Sequence, residues 1–181
     1  MINSTKNIVI TGGPGSGKST LINILSSKGY MCFPEAGRAI IQDQVLIDGN
    51  ALPWVDRKAF AELMLCWDMR SWNIAGDLGG IHFFDRGIPD IVGYLNLCCL
   101  PIPAHLEAAI WQFRYHNTVF IAPPWPEIYK QDNERKQTFE EAIQTYQTMV
   151  TCYQNYGYEL IELPCVAIEE RANFVINKLQ Q

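Results

Sequence analysis

The chain has 181 residues, 48% of them hydrophobic and only 18% charged, with a formal net charge of −5. This composition excludes a disordered chain, and the lack of a basic stripe argues against a nucleic-acid binder. No apolar run reaches the roughly 18 residues that a membrane span needs, and no basic-then-apolar leader opens the sequence, so the expectation is one cytoplasmic domain over residues 1–181, away from membranes, with its oligomeric state open.

Asn7–Thr11 reads as a short buried strand, followed by a glycine-rich turn and a helix over 18–28 with Leu21, Ile24 and Leu25 on one face. A second strand, 30–33, stops at Pro34 and is expected to neighbour the first. Helices follow over 36–47 and about 54–75; the latter is apolar nearly all round and so predicted to be covered on both sides. Together they form a helical insert of about 36–78. Ile81–Phe84 is a third strand ending at Asp85, with helices near 90–97 and 103–116. A fourth strand, 118–122, ends at Pro123-Pro124. Residues 125–137 are a polar connection, after which Thr138 and Glu141 make a capping box for a helix ended by Gly157. Strand 158–163 and helix 168–179 complete the chain. Five apolar strands alternating with helices predict an α/β fold: three α/β/α layers around a five-stranded parallel sheet. Six cysteines without a Cys-x-x-Cys pair speak against zinc and read as small buried hydrophobes.

The strongest motif is Gly12-Gly13-Pro14-Gly15-Ser16-Gly17-Lys18-Ser19, a full P-loop between a strand and a helix. Glycines let the backbone wrap phosphate oxygens, and the helix N-terminus attracts negative charge. Gly13 to Thr20 are the expected nucleotide-binding residues: Lys18 reaches the β- and γ-phosphates, Ser19 ligates Mg²⁺, and Thr20 contacts the α-phosphate. Asp85, at the carboxyl edge of a buried strand, is the second expected Mg²⁺ ligand. Glu35, after the second strand, is the candidate for orienting an acceptor hydroxyl and taking its proton, with Asp85 as competitor. Arg38 and Arg86 are candidate acceptor-binding residues. Arg135, then Lys136, is the candidate arginine of a lid over about 125–137. The loop 164–167 is a candidate base-packing surface, and Trp54, Trp67, Trp72 and Tyr94 are either stacking residues for a planar acceptor or core.

These segments together, Gly12–Thr20, Phe33-Pro34-Glu35-Ala36-Gly37-Arg38, Phe83-Phe84-Asp85-Arg86-Gly87-x-x-Asp90, Pro123-Pro124-Trp125-Pro126-Glu127-Ile128-Tyr129 and Asp132-x-Glu134-Arg135, resemble the AAA-type "predicted ATPase" family of small bacterial P-loop proteins. That family is similar in architecture to the ribosylnicotinamide kinase domain and to nucleoside and nucleotide kinases. The resemblance implies a kinase-like fold, with Glu35 as the acceptor-side carboxylate, Asp85-Arg86 on the Asp-Arg or Glu-Arg motif, and Arg135 as the lid arginine. The fifth strand falls near the end of the sequence, so the C-terminal helical domain of larger AAA machines is not expected. Two readings follow: an ATP- and Mg²⁺-dependent phosphotransferase for a small nucleoside- or nucleotide-like acceptor, or an ATPase switch working through a protein partner. A GTPase is disfavoured, since Asn177-Lys178-Leu179-Gln180 lacks the Asp that guanine readers carry.

Overall fold

The computed structural model describes residues 5–129 and 138–180. In chain order the elements are β1 (Lys6–Gly12), α1 (Lys18–Ser27), β2 (Met31–Phe33), α2 (Ala36–Leu46), α3 (Arg57–Leu78) and β3 (Ile81–Asp85). Then come α4 (Ile88–Leu97), α5 (Ala104–Gln112), β4 (Thr118–Ala122), α6 (Phe139–Asn155), β5 (Glu159–Glu162) and α7 (Ile168–Leu179). The strands form one sheet in the order β2-β3-β1-β4-β5, each neighbouring pair parallel. This is the expected three-layer α/β/α fold.

The strands are apolar on both sides because both faces of the sheet are covered. Ile8, Ile10, Phe83 and Phe120 point to one face, where Leu21, Ile22 and Leu25 of α1 and Ala172 and Val175 of α7 close over them. Val9, Phe84 and Val119 point to the other and meet Ile91, Val92 and Leu95 of α4 and Cys152 and Tyr153 of α6. Each fully buried side chain of this size contributes about 1.5–3 kcal/mol. A smaller cluster, Ala36, Ile40 and Phe60, joins α2 to α3, with Met64, Trp67 and Tyr94 packed against it. Helix ends follow local chemistry: Thr138 and Glu141 exchange side-chain and backbone hydrogen bonds at 3.2 and 2.6 Å to start α6, and Asp56 caps α3 by accepting from the Lys58 and Ala59 amides.

Three expectations change. Strand β2 pairs with β3, not with the P-loop strand β1. It has three residues, none of them buried, and so suits an edge, while the doubly covered β3 takes the interior place. Helix α3 begins at Arg57 and is open on one side, with Leu63, Ile74 and Leu78 exposed; its apolar residues exceed what one packing face can cover. Only Cys152 of the six cysteines is buried, and Cys66, Cys99 and Cys165 are exposed. An apolar neighbour in sequence does not bring a thiol into the core. Among the described residues no helix is long and apolar enough to cross a membrane.

Gly12 ends β1 with φ 130°, and a Cβ there would stand 2.4 Å from the Ala122 carbonyl oxygen and 3.0 Å from the Ala122 nitrogen. Backbone cannot step aside as a side chain can. Gly12→Ala is expected to cost at least about 3 kcal/mol, a fall of roughly 6–12 °C in melting temperature. Gly76→Ala, in α3 where an added Cβ meets nothing within 4 Å, is expected to leave stability unchanged or raise it by up to about 1 kcal/mol. Thermal melts of the two variants check the pair.

Candidate active site

Strands β1 and β3 end side by side, with Ile10 in register with Asp85. The glycine-rich loop therefore leaves the sheet beside the Asp85 carboxylate, at the carboxyl edge where open α/β sheets bind ligands. A Cβ on Gly13 would meet the Ala142 carbonyl oxygen of α6 at 2.4 Å, so this glycine is required by packing as well as by any ligand. Gly17 turns the chain into α1 with φ 82°, and no side chain caps the helix. The amides of its first turn, Lys18 to Thr20, thus face outward at the positive end of the dipole. Pro14 and Gly15 are partly buried at the crest of the loop, while Ser19 and Thr20 are exposed.

Inside the loop, Ser16 Oγ donates to the Gly13 carbonyl at 2.8 Å, and Lys18 Nζ donates to the same oxygen at 2.7 Å. Lys18 is 5% exposed. Burial, and next the Arg86 charge, pull its ammonium down to about 8, against the opposing pull of Asp85, Glu35 and Asp90. Ser19 Oγ donates to Asp85 Oδ2 at 3.0 Å, while Asp85 Oδ1 is buried with no hydrogen-bond partner. Burial raises the Asp85 carboxyl, opposed by Lys18. A hydroxyl beside a carboxylate with one oxygen to spare is a donor set that suits a hard cation such as Mg²⁺.

Arg86 ties this edge together. Its φ of 74° lies in the left-handed region, which costs a bulky residue on the order of 1 kcal/mol or more. The conformation is held by its own side chain: Nη1 donates to the Gly12 carbonyl and to Asp90 Oδ1, both at 3.1 Å, and Nε lies 3.2 Å from Glu35 Oε1. Burial works against the guanidinium charge, but Glu35, Asp90 and Asp85 outweigh it. Glu35 occupies the N-cap of α2 without capping it; its carboxylate turns to Arg86 instead. Burial pushes Glu35 up, yet Arg86 and Lys18 hold it below the ordinary carboxylate range. Glu35 thus reaches Arg86, and through it the P-loop strand, although β2 is not adjacent to β1. Arg38 is exposed one residue beyond Gly37, close enough to act on Glu35.

The segment expected to form a lid is described as far as Tyr129; Arg135 and Lys136 lie outside the described residues. Its first residues turn over the P-loop: Tyr129 N donates to the Trp125 carbonyl at 3.1 Å, and Ile128 Cδ1 comes within 3.2 Å of where a Gly17 Cβ would be. Of the candidate stacking residues, Trp54 is 64% exposed and Trp72 packs on the core while donating to the Arg114 carbonyl. Trp67 and Tyr94 border the α2–α3 cluster next to Glu35. A hollow of about 460 Å³ between α4 and α6, lined by Val92, Asn96 and Thr151 among others, contains none of the predicted site residues.

Three residues are brought in by the structure that sequence reasoning gave no role. Asp90, buried in the first turn of α4, accepts from Thr11, Arg86, the Gly87 amide at 3.0 Å and Tyr153 at 2.6 Å. Its position three residues after Gly87 is that of a helix-capping acid, a signal present in the motif. Arg171 of α7, 1% exposed, donates to the Ser16 carbonyl at 2.8 Å and to the Pro164 carbonyl at 2.8 Å, and stands 5.0 Å over the Trp125 ring. Nothing local marks it. Asp68, in the middle of α3, is partly buried; desolvation first, then the charges of Asp90 and Glu35, raise its carboxyl to about 8 in spite of Arg86.

That displacement fixes a sign. The folded state holds the Asp68 proton more tightly than the unfolded chain, so a penalty on folding grows as pH rises from about 4 and is complete above about 8. Asp68→Asn removes it. The variant is expected to melt a few degrees above the parent near pH 8, and the gap is expected to shrink toward pH 5. Melting curves across that range check it, and a gap that widens on acidification would be the wrong sign.

Residues 7–171 match the AAA domain family, and among curated proteins none matches the chain in sequence. Solved structures share the fold at low identity. The thymidylate kinase of Ehrlichia chaffeensis has a TM-score of 0.67 at 13% identity, over 98% of this chain and 100% of that one. A deoxyadenosine kinase from M. mycoides, solved with dCMP and dCDP, has 0.66 at 17% identity, over 96% and 98%. NadR protein in complex with NR has 0.74 at 15% identity; there 97% of this chain covers half of that one. The fold is thus that of nucleoside and nucleotide kinases, and the match over nearly the whole sequence shows that the chain belongs to the AAA domain family of P-loop proteins.

Proposed function

We propose that this protein is an ATP- and Mg²⁺-dependent phosphotransferase for a small-molecule acceptor, built as a single domain with an acceptor-side insert at about 36–78 and a lid at about 125–137. The observation that carries the reading is the Glu35 carboxylate, held ionised by Arg86 on the insert side of the cluster that contains Lys18 and Asp85. A carboxylate there can orient either an acceptor hydroxyl or a water, and its place at the start of α2, on the side away from the P-loop, favours the acceptor.

In this reading the backbone of Gly13 to Thr20 and the Lys18 ammonium hold the phosphates. Lys18 exchanges the Gly13 carbonyl for phosphate oxygens, and the anion favours its charged form. Ser19 and Asp85 hold Mg²⁺, which when bound offsets charge on the transferring group. Glu35 orients the acceptor hydroxyl and receives its proton. A carboxylate held low is a weak base but remains an acceptor at neutral pH, which suits a loose transfer in which the proton moves late. Arg86 fixes Glu35, and with Arg38 faces the acceptor side; Arg135 closes from the lid.

One feature favours the alternative, a nucleotide switch acting on a protein partner. Val45, Leu46 and Ile47 at the end of α2, with Trp54 and Val55 before α3, are 57–82% exposed, and clustered apolar surface of this kind marks contact sites.

Screening nucleosides, nucleotides and vitamins for ADP release separates the two. The expected result is ADP formation that depends on one acceptor class; release indifferent to every acceptor would overturn the kinase reading. Lys18→Ala is expected to abolish turnover. Glu35→Gln is expected to lower kcat by about 10²–10⁴ while leaving nucleotide affinity near the parent value. Arg135→Ala is expected to lower kcat more than nucleotide affinity, and a pure affinity loss would remove it from the lid role.

A further inference from the structure

Asp68 lies at the centre of the buried face of α3. Ala61, Met64 and Leu65 precede it by seven, four and three residues, and Ser71, Trp72 and Ala75 follow by three, four and seven, all of them buried or partly buried. A carboxylate there is costly unless it is paired. Yet among the described residues Asp68 makes no hydrogen bond and no ion pair; Arg86, the cation that acts on it, is bonded to Glu35, Asp90 and the Gly12 carbonyl. The helix face it shares borders the acceptor side directly. Met64, one turn earlier, comes within 3.7 Å of the point where a Gly37 Cβ would stand, and Glu35 Oε1 within 3.6 Å of the same point.

The other carboxylates of the cluster have partners. Asp90 accepts four hydrogen bonds, Asp85 accepts from Ser19 beside the P-loop, and Glu35 pairs with Arg86. Asp68 is the remaining acid; the charges of Asp90 and Glu35 act on it, and its own acts on Tyr115. A phosphorylated acceptor would bring further negative charge against Glu35 and Asp90, which already share the Arg86 guanidinium. A hydroxyl-rich or cationic acceptor would supply the donors that Asp68 lacks.

We propose, on the kinase reading above, that Asp68 is a specificity-determining residue that receives donor groups of the acceptor and selects unphosphorylated, hydroxyl-bearing molecules of the nucleoside class over their monophosphates. The Asp68 carboxyl then exchanges hydrogen bonds with the acceptor while Glu35 faces the hydroxyl to be phosphorylated, so two acids divide binding and transfer between α3 and the start of α2.

The test uses the full chain and two readouts. Calorimetry with a panel of nucleosides and their 5′-monophosphates, in the presence of a non-hydrolysable ATP analogue and Mg²⁺, reports binding without turnover. ADP release with the same panel reports transfer. The expected result is that at least one nucleoside binds at least tenfold more tightly than its monophosphate, and that Asp68→Asn weakens that binding, or raises the acceptor KM, by tenfold or more with kcat and ATP affinity changed much less. Asp68→Glu, which keeps the carboxyl group, should recover part of the loss. Tighter binding of monophosphates, no nucleoside binding at all, or an Asp68→Asn variant with unaltered acceptor affinity would overturn the assignment. Binding that depends on Asp68 without any ADP release would instead remove the kinase reading and leave Asp68 as a ligand-binding residue.

Discussion

The carboxyl edge of the sheet is organised around one guanidinium in an unfavourable backbone conformation. Arg86 sits at φ 74° directly after β3, and its side chain reaches the P-loop strand through the Gly12 carbonyl, α4 through Asp90 and the start of α2 through Glu35. Three elements that are far apart in sequence are thereby fixed to one rigid planar group. A lysine could supply the charge but not the fork, because an ammonium has no fixed plane of donors. The strain is local, while two of the three bonds that offset it, to Gly12 and Glu35, are long-range. The geometry therefore exists only when the sheet, α2 and α4 are all in place.

Asp90 is the counterpart. Four donors on one carboxylate, from β1, the turn after β3, Arg86 and α6, satisfy a group that would otherwise be expensive at 5% exposure. The Tyr153 hydroxyl brings α6 into the same network, and α6 also presses its Ala142 carbonyl against Gly13. On the opposite face Arg171 holds the Ser16 carbonyl from α7. The glycine-rich loop is thus clamped from both helical layers, which limits the entropy lost when an anion is received.

Against that satisfied background, the unsatisfied atoms stand out. Among the described residues Asp85 Oδ1, Tyr94 Oη and Arg171 Nη2 are buried without a hydrogen-bond partner, the first turn of α1 has no side-chain cap, and the partly buried Asp68 makes neither a hydrogen bond nor an ion pair. Buried polar groups in a folded domain are normally paired. Asp85 Oδ1 and the uncapped amides of α1 lie together beside Lys18 at the carboxyl edge of the sheet, whereas Asp68 lies on α3.

Much of this was legible in the sequence. The P-loop is a local structure, written in eight consecutive residues whose backbone freedom and flanking strand and helix are visible without the rest of the chain. The alternation of apolar strands and helices determined the parallel three-layer fold, since each crossover must cover one face of the sheet. Asp85 and Glu35 could be singled out as candidate site residues because each follows a short apolar run. What the tertiary structure decided is everything that depends on which element lies beside which. It placed β2 at the edge beyond β3, joined Glu35 to Arg86 across that gap, linked Thr11 of β1 to Tyr153 of α6 through Asp90, and made Arg171 a partner of the P-loop from 155 positions away. Asp68 was hidden for the same reason: in a helix that is apolar nearly all round in sequence, only the packing of α3 shows which face is turned inward.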